Sequence, residues 1–400
     1  MVARASNASA AWCAFQLYNR GSLSADCATL PRMEAIRGWG NSGSISVEAA
    51  VLRRADSPLK IERVQMEGPR PDEVLVRLVA SGICHTDIGF WQAGAAGAVI
   101  LGHEGAGIVE YAGSSVRGFR PGDHVVLSYQ SCGDCRACQA GRPVQCAQFW
   151  EANFGFARPD GSNAFAASGV RGHFFGQSSF ATHCLATERN LVKVPKELPL
   201  EMLAPLGCGL QTGAGTIMNS LAVGAGSSVA VFGTGSVGLA AIMAARIAGA
   251  DPIIAVDIRR RRLVLARELG ATHSMDGRAV NLRERIATLA GGGIDYGVET
   301  TGDAAIERTA IALLNPGGQL ALLTGSMGPH HLPGGRKVLS VIQGDAIPQQ
   351  FIPKMIKLYR GGQFPFDRLV RFYDFRNLNR AIADSIGGRT IKPVLRIGGV

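Results

Sequence analysis

The chain has 400 residues, 46% hydrophobic and 18% charged, long enough for two domains with their own cores and too apolar for a disordered chain. Lys and Arg number 41 against 31 Asp and Glu, a formal charge of +10, but the only basic run is Arg259–Arg262, which argues against a nucleic-acid surface. No apolar stretch reaches the roughly eighteen residues a membrane helix needs; the richest region, 229–256, is broken by glycines and by Arg246.

Residues 1–45 are rich in Ala, Ser and Arg, poor in acids and without periodicity. They read as an N-terminal extension without fixed structure; a targeting peptide, or a later start at Met33, are the alternatives. From Val47 the pattern turns strand-like, in "VEAAVLRR", "LKIERVQM" and "EVLVRLVASGICHTD", and continues through "GIVEYAG", "GDHVVLS" and "SSFATHCLA". Alternating β-branched and polar residues between Pro and Gly breaks predict a β-rich domain over 46–208. The rhythm changes near 209. "SSVAVFG", "PIIAVD", "IDYGVETTG" and "GQLALLTG" read as buried strands; "SVGLAAIMAARIAGA", "RRRRLVLARELGA", "LRERIATLAG" and "IERTAIALLN" read as helices between them. That alternation predicts an α/β fold with a doubly wound parallel sheet over 209–341. Residues 342–400 are mixed and read as a return to the first domain.

"VAVFGTGSVG" places Gly233, Gly235 and Gly238 directly after a predicted strand and at the start of a predicted helix. Gly233 permits a tight turn, Gly235 lets backbone approach a pyrophosphate, and Gly238 lets helix and strand pack closely; the helix N-terminus attracts the negative charge. The next predicted strand ends at Asp257, whose carboxylate suits ribose hydroxyls and repels a 2′-phosphate, so NAD is expected over NADP. Arg259–Arg262 is the opposing signal: it is either a solvated first helical turn or a partner for an anion.

"CGDCRACQAGRPVQC" spaces Cys132, Cys135, Cys138 and Cys146 as C-x2-C-x2-C-x7-C. A bacterial ferredoxin run has a shorter last gap followed by Pro. A disulfide needs an oxidising compartment, and a lone redox pair leaves two thiols idle. Four thiolates in one loop match a closed tetrahedral zinc site, which has no open position and braces a lobe over 132–146. The chemistry is therefore expected elsewhere, in three separated pieces. "GICHTD" supplies Cys84, "LGHEGAG" supplies His103 and Glu104, and "PLGCGLQTG" supplies Cys208. Two Cys and one His with an exchangeable fourth position compose a catalytic zinc site; singly, each residue has a plain reading as a buried core side chain.

On these motifs, from about residue 45 to the end, the chain resembles the zinc-dependent medium-chain alcohol dehydrogenases. "FFGQSSFATHCLA", "GDAIPQQFIPKMIKLYRGGQFPFDRLVRFY" and "IKPVL" are most similar to the aryl-alcohol (benzyl-alcohol) group. The resemblance implies a Rossmann sheet beside a β-rich GroES-like catalytic domain, with NAD and two zinc ions per chain as cofactors. It implies zinc acting as a Lewis acid on the alcohol oxygen, with hydride passing to the nicotinamide. Cys84, His103 and Cys208 correspond to the catalytic ligands, and Thr86 to the hydroxyl that begins the proton relay. Asp87 would orient His103, Glu104 would sit behind the metal, and His85 would meet the cofactor pyrophosphate. Thr212, Arg262 and Lys392 fall at cofactor positions on the nicotinamide, ribose and pyrophosphate sides. The sequence departs from many relatives at Gly89, where they carry the relay's outer histidine, so the proton is expected to leave through ribose and water or another base. Phe90, Trp91, Trp150 and Phe154 are candidates for an apolar substrate wall. The resemblance further implies a homodimer or homotetramer, a small alcohol or aldehyde as the only other partner, and a reducing cytoplasm. The rival readings are a thiol-adduct (S-hydroxymethyl) formaldehyde dehydrogenase and, from another class, a zinc-free binding or quinone-reducing relative.

Overall fold

The computed structural model describes residues 43–324 and 330–398; Met33 and nearly all of the expected N-terminal extension lie outside them. The first half of the chain supplies β1 (Ser44–Leu52), β2 (Lys60–Glu67), β3 (Glu73–Gly82), β4 (Ala98–Ile100), β5 (Glu104–Ala112), β6 (His124–Leu127), β7 (Val170–Arg171), β8 (His183–Thr187) and β9 (Leu191–Lys193). They form a small sheet, β2-β1-β4-β7, and a larger one in which β3-β5-β6-β9 are neighbours and β8 also pairs with β3. β3 is buried at every position but Arg77, because it is central in its sheet and covered on both faces. The strand stops at Gly82, sooner than its sequence pattern suggests, and "HTDIGFWQA" becomes a helix over His85–Ala93.

A second sheet system holds β10 (Val229–Phe232), β11 (Ile253–Asp257), β12 (His273–Asp276), β13 (Ile294–Glu299), β14 (Leu314–Leu322), β15 (His330–Leu332) and β16 (Arg336–Ser340). Its order is β12-β11-β10-β13-β14-β16-β15, parallel except where β15 meets β16. This is the doubly wound α/β sheet expected from the strand–helix alternation. The strand order reverses beside β10, which opens a crevice at the carboxyl ends of β10 and β13, where such sheets bind ligands. The helix Ser236–Ala248 runs from that crevice. It is buried continuously from Gly238 to Ala245, packed on the sheet and on the helix Gly209–Gly215, and Gly249 (φ 76) closes its C-terminus.

After β16 the chain forms the helices Pro348–Arg360 and Leu378–Ile386 and ends in β17 (Val370–Asp374) and β18 (Lys392–Arg396). β18 pairs antiparallel with β3, Val394 opposite Gly82, and parallel with β17, so the last strands complete the larger first sheet. Among the described residues no helix is long and apolar enough to cross a membrane.

Candidate active site

Cys84 caps the helix His85–Ala93 from an extended backbone, and the third helical residue, Asp87, returns its side chain to the Cys84 N–H at 2.9 Å. The other oxygen of Asp87 accepts from the Gly102 N–H at 3.0 Å and meets His103 Nδ1 at 2.9 Å. One fully buried carboxylate thus ties the end of β3 to the start of β5 and fixes the imidazole with Nδ1–H toward Asp87. Gly102 (φ 92) is needed here, because a Cβ would lie 2.4 Å from the Phe180 nitrogen. Cys208 stands between the turn Ala204–Gly207 and the helix Gly209–Gly215.

The donor atoms of Cys84, His103, Glu104 and Cys208 all lie within 4.8 Å of one another. His103 Nε2 is buried and has no hydrogen-bond partner, so it can serve as a ligand. The surroundings draw positive charge to the centre. The Cys84 thiol is held well below its ordinary value by the Cys208 thiol and then by His103, despite burial. Burial opposes charge on His103, yet Asp87 and Cys84 push it well above its usual value. Two sulfurs, an orphaned imidazole nitrogen and an attraction for cations fit a zinc ion with one position left over. Glu104 borders that centre but is already engaged: Lys392 Nζ lies 2.9 Å from both of its oxygens and the Gly209 N–H donates to one at 3.0 Å. Gly82 makes room for this carboxylate, since a Cβ there would come within 2.0 Å of it.

The second cluster fits a closed zinc site. The sulfurs of Cys132, Cys135, Cys138 and Cys146 lie within 4.8 Å of one another, with Cys132 to Cys146 at 3.4 Å and Cys132 to Cys138 at 3.9 Å. A tetrahedron with Zn–S bonds of about 2.3 Å has edges of about 3.8 Å. Backbone N–H groups of Cys132, Cys135, Ala147 and Gln148 donate to these sulfurs at 3.3–3.5 Å, as thiolates require.

A cavity of about 820 Å³ joins the catalytic cluster to the glycine turn. Cys84, His85, Thr86, Cys208, Thr212 and Lys392 lie on its wall, and so do Gly233, Gly235, Asp257, Arg259 and Arg262. At Gly233 (φ 88) a Cβ would meet Thr300 Oγ1 at 2.3 Å, and at Gly238 one would meet the Gly233 carbonyl at 1.9 Å. At Gly235 it would meet only Arg262, at 4.0 Å, so the missing side chain leaves backbone open to a ligand at the helix N-terminus. Asp257 is oriented by Thr234, whose N–H and hydroxyl donate at 2.7 and 2.8 Å, and by the Arg259 N–H at 2.8 Å. This cradle fits a dinucleotide. Lys392, expected at the pyrophosphate, reaches the cavity but is paired with Glu104.

The aromatic wall is made by Phe149, Trp150, Phe154 and Phe175. Two of the expected wall residues are elsewhere. Phe90 stacks behind Phe154 at 5.5 Å, and Trp91 donates its indole N–H to the Ser57 carbonyl at 2.7 Å. Sequence reasoning missed Phe149, Phe175 and two buried glutamines, Gln177 and Gln343. Phe175 and Gln177 lie in "FFGQSSF", whose only sequence signal is the family resemblance, and nothing local marks Gln343.

Residues 70–196 match the family model of the alcohol dehydrogenase GroES-like domain, and residues 236–352 that of the zinc-binding dehydrogenases. Over 88% of its length the chain is 44% identical to a geraniol dehydrogenase of Castellaniella defragrans, 98% of which is covered. It superposes on the crystal structure of benzyl alcohol dehydrogenase from Acinetobacter calcoaceticus with a TM-score of 0.85 at 41% identity, covering 88% of this chain and 100% of that one. An alcohol dehydrogenase zinc-binding domain protein from Burkholderia ambifaria gives a TM-score of 0.86 at 47% identity over 89% of this chain and 100% of its own.

Proposed function

The chain belongs to the zinc-dependent medium-chain alcohol dehydrogenases, and from that premise we propose that it interconverts a primary alcohol, its carbinol carbon attached to an aromatic ring, and the aldehyde with NAD. The observation that carries the reading is the convergence of Cys84, Cys208 and the unpartnered His103 Nε2 at one end of a cavity that runs to the glycine turn. Held by Cys84, His103 and Cys208, zinc would supply Lewis acidity for an alcohol oxygen, and the nicotinamide would supply the hydride acceptor.

The side chains divide the remaining work. The two sulfurs balance the charge of a dication, while Asp87 keeps Nδ1 of His103 protonated and Nε2 free. Thr86 Oγ1, on the cavity wall 3.9 Å from Cys84 Sγ, receives the alcohol proton and passes its own outward. At Gly89 a Cβ would meet nothing within 4 Å, which supports an exit to water where many relatives have a histidine. Lys392 neutralises Glu104, so that carboxylate adds no uncompensated charge beside the metal. Phe149, Trp150, Phe154 and Phe175 favour a flat apolar substrate and exclude water around the reacting carbon. At the other end Asp257 supports NAD. Thr234, Val256 and the arginines shape its surroundings, and Asp257→Ser is expected to raise the KM for NAD at least about tenfold and to improve relative use of NADP.

Steady-state rates with NAD across benzylic, allylic and aliphatic primary alcohols, and with a thiol–formaldehyde adduct, test the reading. A benzylic preference of about tenfold or more in kcat/KM is expected; equal rates throughout would refute the substrate class, and preference for the adduct would replace it. Light scattering is expected to show a homodimer or homotetramer.

A further inference from the structure

We infer that Gln343 is a positioning residue of the catalytic metal centre: its side-chain amide donates a hydrogen bond to the sulfur of Cys208 and limits the charge that this ligand gives to the metal. The inference rests on the ligand role of Cys208 proposed above. Gln343 Nε2 lies 3.3 Å from Cys208 Sγ, and both residues are buried.

The neighbours determine which end of the amide faces the sulfur. The Ser128 hydroxyl donates to the Gly207 carbonyl at 2.6 Å, so toward Gln211 it can only accept. The Gly207 carbonyl is an acceptor as well. Gln211 must therefore turn its NH2 toward these acceptors, at 2.8 and 3.0 Å, and toward Gln343 Oε1 at 2.8 Å, its two hydrogens serving the three oxygens with one of them shared. With its oxygen committed to Gln211, Gln343 can present only N–H to Cys208. The arrangement leaves Gln211 Oε1 buried without a partner, a cost that native interiors rarely accept.

The backbone is also bent to deliver this amide. Gln343, Gly344 and Asp345 occupy the left-handed region consecutively, at φ 53, 63 and 48. The loop is clamped to the helix Gly209–Gly215 that follows the Cys208 ligand: a Cβ on Gly344 would lie 2.7 Å from Gly215 Cα, and Asn219 donates to the Gly344 carbonyl at 3.0 Å. A strained, tightly held segment whose amide reaches a ligand sulfur is an arrangement with a task at the site. An N–H donated to a thiolate withdraws electron density from the sulfur, so the metal remains a stronger Lewis acid toward the alcohol oxygen.

The test uses the intact enzyme with cobalt(II) in the catalytic site and zinc in the four-cysteine site. Gln343→Met keeps length and volume but removes the donor. Its sulfur-to-cobalt charge-transfer band is expected at longer wavelength than in wild type, and, because the sulfur then gives the metal more charge, a chelator is expected to strip the catalytic metal more slowly. Zinc at Cys132–Cys146 should be retained equally in both proteins, which separates this effect from general loosening. Gln211→Leu, which frees the amide to rotate, should shift the band in the same direction by less and carries the test alone if Gln343→Met does not fold. A wild-type band that neither variant moves, with unchanged metal release, overturns the inference. A wild type with no such band overturns the assignment of Cys208 as ligand, and the inference with it.

Discussion

The imidazole of His103 lies stacked on the ring of Phe175, centroids 4.4 Å apart and planes 21° apart. Phe175 reaches it from a segment in which His173, Phe175, Gly176 and Ser178 all have positive φ, between 54° and 66°. Gln177 ties that segment to β5: its side-chain carbonyl accepts from the Gly105 N–H at 3.1 Å, and its amide donates to the carbonyls of His103 and Ser128 at 3.0 Å each. One ring thus walls the cavity and fixes the plane of the His103 imidazole.

Phe175→Ala is expected to cost about 3–5 kcal/mol of stability, the usual range for emptying a buried phenylalanine site, and to speed loss of the catalytic zinc to a chelator. Phe175→Leu should cost less than half as much. Thermal melts with zinc counts after chelation check both; unchanged metal retention in the alanine variant would contradict the bracing role.

Arg158 is 5% exposed and its guanidinium grips buried Glu73 twice, at 2.6 and 3.1 Å, with Glu67 at 2.6 Å. Removing one partner of such a pair strands the other's charge. Arg158→Met is expected to lower stability by about 3–5 kcal/mol. Adding Glu73→Gln should recover part of the loss. Denaturant midpoints of the two variants decide it, and an additive double variant would speak against the pairing.

Burial, aided by the charges of Arg158 and Arg70, holds His173 down to about 3, and its Nε2 accepts from the Ala164 N–H at 3.3 Å. Below about pH 6.5 the unfolded chain binds a proton that the folded chain refuses, so stability falls with pH, by up to about 1.4 kcal/mol per unit, until about pH 3. His173→Asn keeps a residue that tolerates φ 66 and removes the titration. Between pH 7 and pH 5 the variant is expected to lose about 2 kcal/mol less than wild type. Parallel losses in the two proteins would exclude His173 as an acid-sensitive point.

Cys146→Ser is expected to lower the zinc content from two ions per chain to one, with the remaining ion at the Cys84–His103–Cys208 site, and to reduce the melting temperature. Elemental analysis of the purified variant checks it. Two ions retained would show that this loop is not a four-thiolate site.

The glycine turn and the four-cysteine loop were legible because their spacing lies within one short segment, where local geometry alone brings the groups together. The alternation of strands and helices from β10 to β14 was legible for the same reason: a buried parallel sheet imposes a coarse apolar rhythm. Cys84, His103 and Cys208 were found by joining three distant pieces through resemblance, since no periodicity links them. Phe90 and Trp91 were misplaced because "HTDIGF" turns into a helix capped by Cys84, and a residue or two of helical rotation carries a side chain from cavity to core. Gln343 and Phe175 were out of reach in another way. Their roles depend on left-handed backbone at non-glycine positions, and no residue type announces that.

β18 is the last strand among the described residues, and it delivers both the edge that pairs with β3 and the ammonium that meets Glu104. A ribosome making this chain therefore releases Cys84, His103 and Cys208 long before the group that neutralises their acidic neighbour. Cutting the chain before β18 would leave the Glu104 carboxylate without its cation beside Cys84, His103 and Cys208, so the charge balance of the cluster depends on a strand far from it in sequence.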